Sequence, residues 1–358
     1  MGEQMRALRV HGVGEPDQVL VLDEVEPPSP AMLHELRMSM AGWVTPDTPG
    51  AAPTPSDDWV IVQVSMAALA LPDVTMARGT YPVPVPRPYT SGQEGVGIVL
   101  EAGPPHQHLI GKRIASCMIQ PFGSLAEIAV GVGMIVEISP DMSDADAAAL
   151  MIPAHTGYHT VVRRGAVTDG EVVAVRGAAG GLGAACVQIA HAIGARVVAI
   201  VGGTDAVDKA EFCRSLGTDE VIDHTASDVA AELRALTDGR GVDVIIDPVQ
   251  GGDATAVRAG LRVGGRHVLC GHAGGLPPID PHFYLHNHTL VGVNLAGYGP
   301  VEMRRMHTET QAAIDDLMAR GAYRSTPTRI VEFDEVPAAL ADLAARRTTG
   351  RVVVRTTR

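Results

Sequence analysis

The sequence predicts an α/β protein of two domains. A mostly β domain occupies residues 1–152, a doubly wound parallel-sheet domain occupies 153–296, and residues 297–358 return to the first. Three observations carry this reading. At 358 residues the chain suits two domains of about 100–200 residues each. From residue 153 onward, apolar strand-like runs alternate with helical stretches, the pattern of a parallel sheet covered on both faces. Before residue 150, strand signals are separated by turns and Pro-rich stops.

In chain order, Arg6–Val10 and Val19–Val25 read as strands, ended by the stop PPSP at 27–30. Residues 31–58 form an insertion: a Met-rich stretch able to make a short helix, then a Pro-rich loop. Its Met32, Leu33, Leu36, Met38 and Met40 are adaptable apolar groups, suited to covering a pocket or to packing on their own domain. Strand signals resume at Trp59–Val64 and Gly95–Leu100, with the extended segment YPVPVPRPY between them. The second domain should place its strands at 171–176, 196–201, 220–222, 242–247, 265–270 and 289–294. A helix over Thr308–Arg320, a strand near Thr328–Phe333, a helix over Glu335–Arg346 and a strand over Gly350–Arg355 follow. The last has no partner run nearby, which sends it back to the first domain.

Composition excludes several function classes. There are 28 basic and 41 acidic residues, a net charge of −13, so the positive footprint that nucleic acid requires is missing. Aromatics at 3% leave little for base stacking. The cysteines, Cys117, Cys186, Cys213 and Cys270, form no CxxC pair, which argues against a zinc ribbon or a local disulfide framework. The N-terminus MGEQMRALRV has no apolar signal core, and the apolar stretch 172–201 is broken by Arg176, Gln188, His191 and Arg196. A cytoplasmic protein with no membrane partner is the expectation.

One stretch carries chemistry. A strand ending at Arg176 runs into GAAGGLG and then a helix, matching G-x-G-x-x-G as Ala178-x-Gly180-x-x-Gly183, with Gly181 and Leu182 inside the turn. Gly180 lets the backbone approach a pyrophosphate, and Gly183 lets the helix pack closely on the strand. The helix N-terminus offers unpaired N–H groups and the positive end of its dipole to the phosphates. The end of the next strand, where NAD enzymes place an acidic residue on the ribose, reads Gly202-Gly203-Thr204, followed by Lys209. Without a carboxylate to repel a 2′-phosphate, NADP(H) is the expected cofactor. Asp205 is placed to grip a ribose, which keeps NAD as the alternative.

The order of these segments resembles the medium-chain dehydrogenase/reductase superfamily, and within it the zinc-independent quinone oxidoreductases. The matching pieces include ARGTYPVPVPRPYTSGQEGVGIVLEAG (77–103), FGSLAEIAV (122–130), AALMIPAHTGYHTVV (148–162), RGAAGGLGAACVQIAHAIGA (176–195), GVDVIIDPVQGG (241–252) and GRVVV (350–354). The resemblance implies a GroES-like barrel domain beside a Rossmann domain, and a homodimer paired through the strand at 289–294. Where zinc members carry GHE this chain reads Gly92-Gln93-Glu94, and its loop 67–73 has no Cys, so no zinc is expected.

The resemblance also implies site residues. Tyr81 keeps the family tyrosine position, suited to donating a hydrogen bond or to packing. Thr156 sits where the family approaches the nicotinamide amide, and His155 beside it is either a proton donor or a buried structural histidine. Gly271, Asn294 and Leu295 follow strands and should pass near the cofactor. His224 packs near the adenine, and Arg351 lies near the adenosine end. The implied reaction is hydride transfer from NADPH to a small electrophilic acceptor, a quinone or an α,β-unsaturated carbonyl. Ala70 stands where the family tends to carry Asn, which keeps a second reading open: a catalytically silent NADP(H)-binding interaction or sensor protein.

Overall fold

Short apolar strands build the first unit. They are β1 (Met5–Val10), β2 (Leu20–Val25), β3 (Trp59–Ala68), β4 (Tyr89–Thr90), β5 (Glu94–Ala102), β6 (Arg113–Met118) and β7 (Ile128–Glu137). The second unit holds β8 (Val172–Arg176), β9 (Arg196–Val201), β10 (Glu220–Asp223), β11 (Val242–Asp247), β12 (Leu261–Leu269) and β13 (Thr289–Gly292). The chain then returns through β14 (Pro327–Val331) and β15 (Arg351–Arg355). This computed structural model describes residues 4–33, 58–81, 85–203, 205–276, 280–295, 298 and 300–357. Most of the Met-rich insertion (34–57) and Thr204 lie outside them.

The first unit comprises residues 1–152, 296–308 and 325–358. Its larger sheet runs β14-β15-β3-β5-β6-β7, and β7 also pairs with β3, closing β3, β5, β6 and β7 into a small barrel. The returning strand β15 lies antiparallel to β3, with Val353 opposite Ala68. Val60, Val62, Val99 and Ile114 fill the space inside the strands. A fully buried Val or Ile contributes about 1.5–3 kcal/mol, so such alternation fixes which face of each strand turns inward. Leu33, just before the undescribed segment, is buried against Ile61 and Val130.

The second unit comprises residues 153–295 and 309–324. Its six strands are all parallel in the order β10-β9-β8-β11-β12-β13. Every residue of β8 and β11 is buried, as expected for central strands covered on both faces. Because the strands are parallel, the loops that follow β8, β9, β11, β12 and β13 all emerge at one edge of the sheet. Strand order reverses at β8, which places the turn after it at a topological switch point. No helix among the described residues is long and apolar enough to cross a membrane.

Candidate functional site

In the second unit the turn after β8 leads into the helix Gly181–Ile193, with Gly180 as its extended N-cap. Gly183 is dictated by packing: a Cβ there would fall well inside contact distance of the Gly177 carbonyl oxygen and press on the Ala178 Cα. The helix therefore starts directly over the strand end, and its first N–H groups have no intrahelical acceptor. Ala178 is fully buried beneath the turn, while Gly181 and Leu182 are partly exposed.

The end of β9 gives a second wall. Gly202 lies against the His224 ring so closely that a Cβ would collide with it. Lys209 is buried, with Nζ 2.8 Å from Asp205 Oδ1 and donating to the Gly202 carbonyl at 3.2 Å. It is thus already engaged beside the Gly202-Gly203 turn, a state the sequence did not suggest. Further along the same edge, the loops after β11 and β12 are clasped together. The Gln250 amide donates to the Gly271 carbonyl, and Gly274 N–H donates to Val249 O at 2.7 Å. Val293 N–H donates to Leu269 O at 3.0 Å, which leaves Asn294 and Leu295 at the same edge beyond β13.

Asp247, fully buried at the end of β11, binds this edge together. Its carboxylate accepts from Arg176 Nη1 (3.0 Å), His267 Nε2 (2.9 Å), Val249 N–H (2.9 Å) and Gln250 N–H (2.7 Å). Burial alone would raise its pKa, but the His267 hydrogen bond and the Arg176 charge outweigh burial and hold it at about 2.

His155 and Thr156 lie on the helix Met151–Tyr158. His155 is only 1% exposed, and Nε2 meets Gln311 Oε1 at 2.9 Å. Burial lowers its pKa more than the Gln311 bond and Asp315 raise it. Burial thus disfavours the protonated imidazole that a proton donor would use. The Thr156 carbonyl accepts from Thr160 Oγ1 at 2.6 Å.

In the first unit, Asp73 is the buried anchor. It accepts from Ala70 N–H (2.8 Å), Gly92 N–H (2.9 Å) and Ser91 Oγ (3.0 Å), tying the loop before the helix Leu71–Ala77 to the segment after β4. Burial raises its pKa against those bonds. Tyr81 packs half-buried on this core, and burial, with Asp73 adding, holds its phenol protonated above the usual range. Arg351 is held within the first unit. Its guanidinium is buried against the fully buried Glu94 carboxylate, which also accepts from Ile152 N–H at 2.8 Å.

Around Gln93 the described residues do not fit a zinc ion. The Gln93 amide donates toward Gln120 Oε1 at 3.5 Å and the Met76 sulfur at 3.8 Å, and burial pushes the Cys117 thiol well up, with Glu94 adding to it. Among the described residues no three His, Cys, Asp or Glu side chains are grouped to hold a metal.

Comparison with known proteins follows the same division. Residues 56–138 match the alcohol dehydrogenase GroES-like domain, and residues 181–312 match the family described as zinc-binding dehydrogenase. The spectinabilin polyketide synthase system protein NorB of Streptomyces orinoci is 33% identical over 332 residues, 89% of this chain, which spans only 14% of that protein's length. The 2-haloacrylate reductase of a Burkholderia species is 26% identical over 275 residues, covering 75% of this chain and 81% of the reductase. The crystal structure of a Pseudomonas syringae quinone oxidoreductase aligns with a TM-score of 0.80 at 26% identity, over 98% of this chain and 99% of that one.

Proposed function

The chain belongs to the medium-chain dehydrogenase/reductase superfamily, and from that premise we propose that it is a zinc-independent, NADPH-dependent reductase of quinones or α,β-unsaturated carbonyls. The observation that carries the reading is the Gly177–Gly183 turn, whose close helix approach presents unpaired N–H groups at a sheet switch point. Gly180, Gly181, Leu182 and Gly183 would hold the pyrophosphate. Gly202, Gly203, Lys209 and His224 would face the adenosine end. Gly271, Asn294, Leu295 and Thr156 are assigned to the nicotinamide end. When bound, the cofactor supplies a hydride.

The chain's own residues then have modest tasks. Tyr81 keeps its proton at neutral pH and is assigned to donate a hydrogen bond to the oxyanion that develops on the acceptor. Asp73 fixes the loop that carries Ala70, and His155 has no chemical step. The acceptor class draws support from relatives named for quinone reduction and for reduction of 2-haloacrylate, an electron-poor alkene. We assign assembly as a homodimer to β13, the terminal strand of its sheet.

The test is NADPH oxidation with a panel of quinones, enones and 2-substituted acrylates, run beside a calorimetric titration with NADPH and elemental analysis for zinc. Turnover with at least one class, unaffected by a chelator, supports the reading. Tight NADPH binding without turnover on any of them favours a sensor role, and stoichiometric zinc required for activity overturns the metal-free assignment.

A further inference from the structure

A string of charged and polar side chains, buried at its centre, runs through the second unit beneath the proposed cofactor edge. Asp253 meets Arg176 at 2.7 Å, Arg176 meets Asp247 at 3.0 Å, and Asp247 meets His267 at 2.9 Å. His267 Nδ1 accepts from Arg258 Nε at 3.2 Å, and Arg258 Nη1 reaches Asp280 at 2.9 Å. His267 and Asp247 are both fully buried, and Arg258 is 2% exposed.

The string has one consistent protonation pattern. Arginine has no acceptor, so the bond from Arg258 makes Nδ1 of His267 the acceptor and leaves the ring's proton on Nε2. Nε2 then donates to Asp247. A doubly protonated ring would set one N–H against another at Arg258. The tautomer is therefore fixed from both sides, and with it the orientation of the Asp247 carboxylate.

Asp247 controls three of the loops at the sheet edge. Through Arg176 it holds the residue that immediately precedes Gly177. Through the N–H groups of Val249 and Gln250 it sets the loop after β11. That loop in turn carries the Gln250 amide to the Gly271 carbonyl after β12. One carboxylate thus aligns loops that are far apart in sequence.

We propose that Asp247, oriented by His267 and Arg258, is the positioning residue of the dinucleotide site, acting on the loops after β8, β11 and β12 without touching the cofactor. The proposal rests on the reading that this edge binds NADP(H). It differs from a stability role because it sets the geometry of the loops in the folded protein.

The experiment compares Asp247→Asn, His267→Leu and His267→Gln with the wild type. Glutamine carries an acceptor and a donor at a spacing close to that of the two ring nitrogens, so it can preserve both bonds, whereas leucine preserves neither. Calorimetric dissociation constants are measured for NADPH and NADH, with kcat and both KM values, and hydrogen exchange is followed at residues 248–251 and 271–275 without cofactor. Asp247→Asn and His267→Leu should weaken NADPH and NADH alike by about tenfold or more, since a loop-positioning group does not read the 2′-phosphate. Exchange in both loops should accelerate. His267→Gln should return affinity to within about threefold of wild type. Lowered melting temperature with unchanged affinities and unchanged loop exchange overturns the proposal. Failure of His267→Gln to recover affinity while it folds also overturns it. If Asp247→Asn does not fold, the His267 pair decides alone. A wild type that binds neither NADPH nor NADH defeats the cofactor reading itself, and the proposal falls with it.

Discussion

Replacing Lys209 tests the cofactor assignment most directly. The structure shows its ammonium buried, 2.8 Å from Asp205 and bonded to the Gly202 carbonyl at 3.2 Å. If it also meets the 2′-phosphate of NADPH, the contact is a charge-assisted hydrogen bond contributing about 1.5–3 kcal/mol. At about 1.4 kcal/mol per decade, Lys209→Ala should weaken NADPH roughly 10–100-fold and leave NADH within about twofold. Asp205 makes the upper part of that range the expectation, because its carboxylate is then left facing the phosphate without a counter-charge. The same geometry predicts the opposite sign for Asp205→Asn. Removing a partly exposed pair of this kind costs the protein about 0.2–1 kcal/mol, so freeing Lys209 from Asp205 should tighten NADPH by about 1.4- to fivefold. Both titrations belong at low and high salt, where the effect of so buried an ammonium should change little with screening. Equal weakening of NADPH and NADH by Lys209→Ala would show a lysine that merely pins the Gly202 carbonyl. A wild type preferring NADH, with affinity lost in Asp205→Asn, would make Asp205 the ribose ligand and refute the NADP(H) assignment.

Other outcomes follow from the same geometry. At Gly180 a Cβ would meet only the Gly177 carbonyl at 3.4 Å, so Gly180→Ala should change stability by less than about 0.5 kcal/mol in urea melts yet weaken NADPH at least about tenfold. Gly183→Ala, pressed against backbone on two sides, should cost about 1–3 kcal/mol as well as cofactor affinity. Asp247 has a folded pKa of about 2, below its ordinary 3.8, so its stabilisation is present above pH 3.8 and is lost as pH falls toward 2. That is about 2 kcal/mol, and urea melts of Asp247→Asn across acid pH should lack that slope. Arg351→Met leaves the fully buried Glu94 uncompensated and should cost about 3–5 kcal/mol, much of it recovered by adding Glu94→Gln.

The parallel sheet was legible because its central strands carry near-continuous Val and Ile, and that pattern survives any tertiary context. β9 and β11 fall at the expected residues, and β8 begins one residue later than expected. β12 begins at Leu261, before the expected 265, because the strand continues past an irregularity in its pairing with β11, where Gly264 takes a φ of +74° that interrupts the apolar pattern. The long helix Pro300–Ala319 begins eight residues before Thr308. Proline at a first helical position opens a helix, because the N–H it lacks has no partner anyway.

The site divides along a different line. Gly183 could be read because the close approach of backbone there leaves room only for glycine, a constraint that shows in the residue type itself. The string could not, since no member taken singly points to its partners: Asp253, Arg176, Asp247, His267, Arg258 and Asp280 are scattered along the chain. What brings them together is strand order and register. Ile246 stands opposite Val175 between β11 and β8, and Asp247 stands opposite Leu269 between β11 and β12, so an arginine ending one central strand meets an aspartate ending its neighbour. A charged residue closing an otherwise apolar buried strand is costly alone, because its desolvation is repaid only by a partner of opposite sign. Two such residues of opposite charge, closing strands that topology makes adjacent, therefore imply one another. Strand order and composition together would have exposed the Arg176–Asp247 pair, and His267 follows as the group able to share the carboxylate from β12.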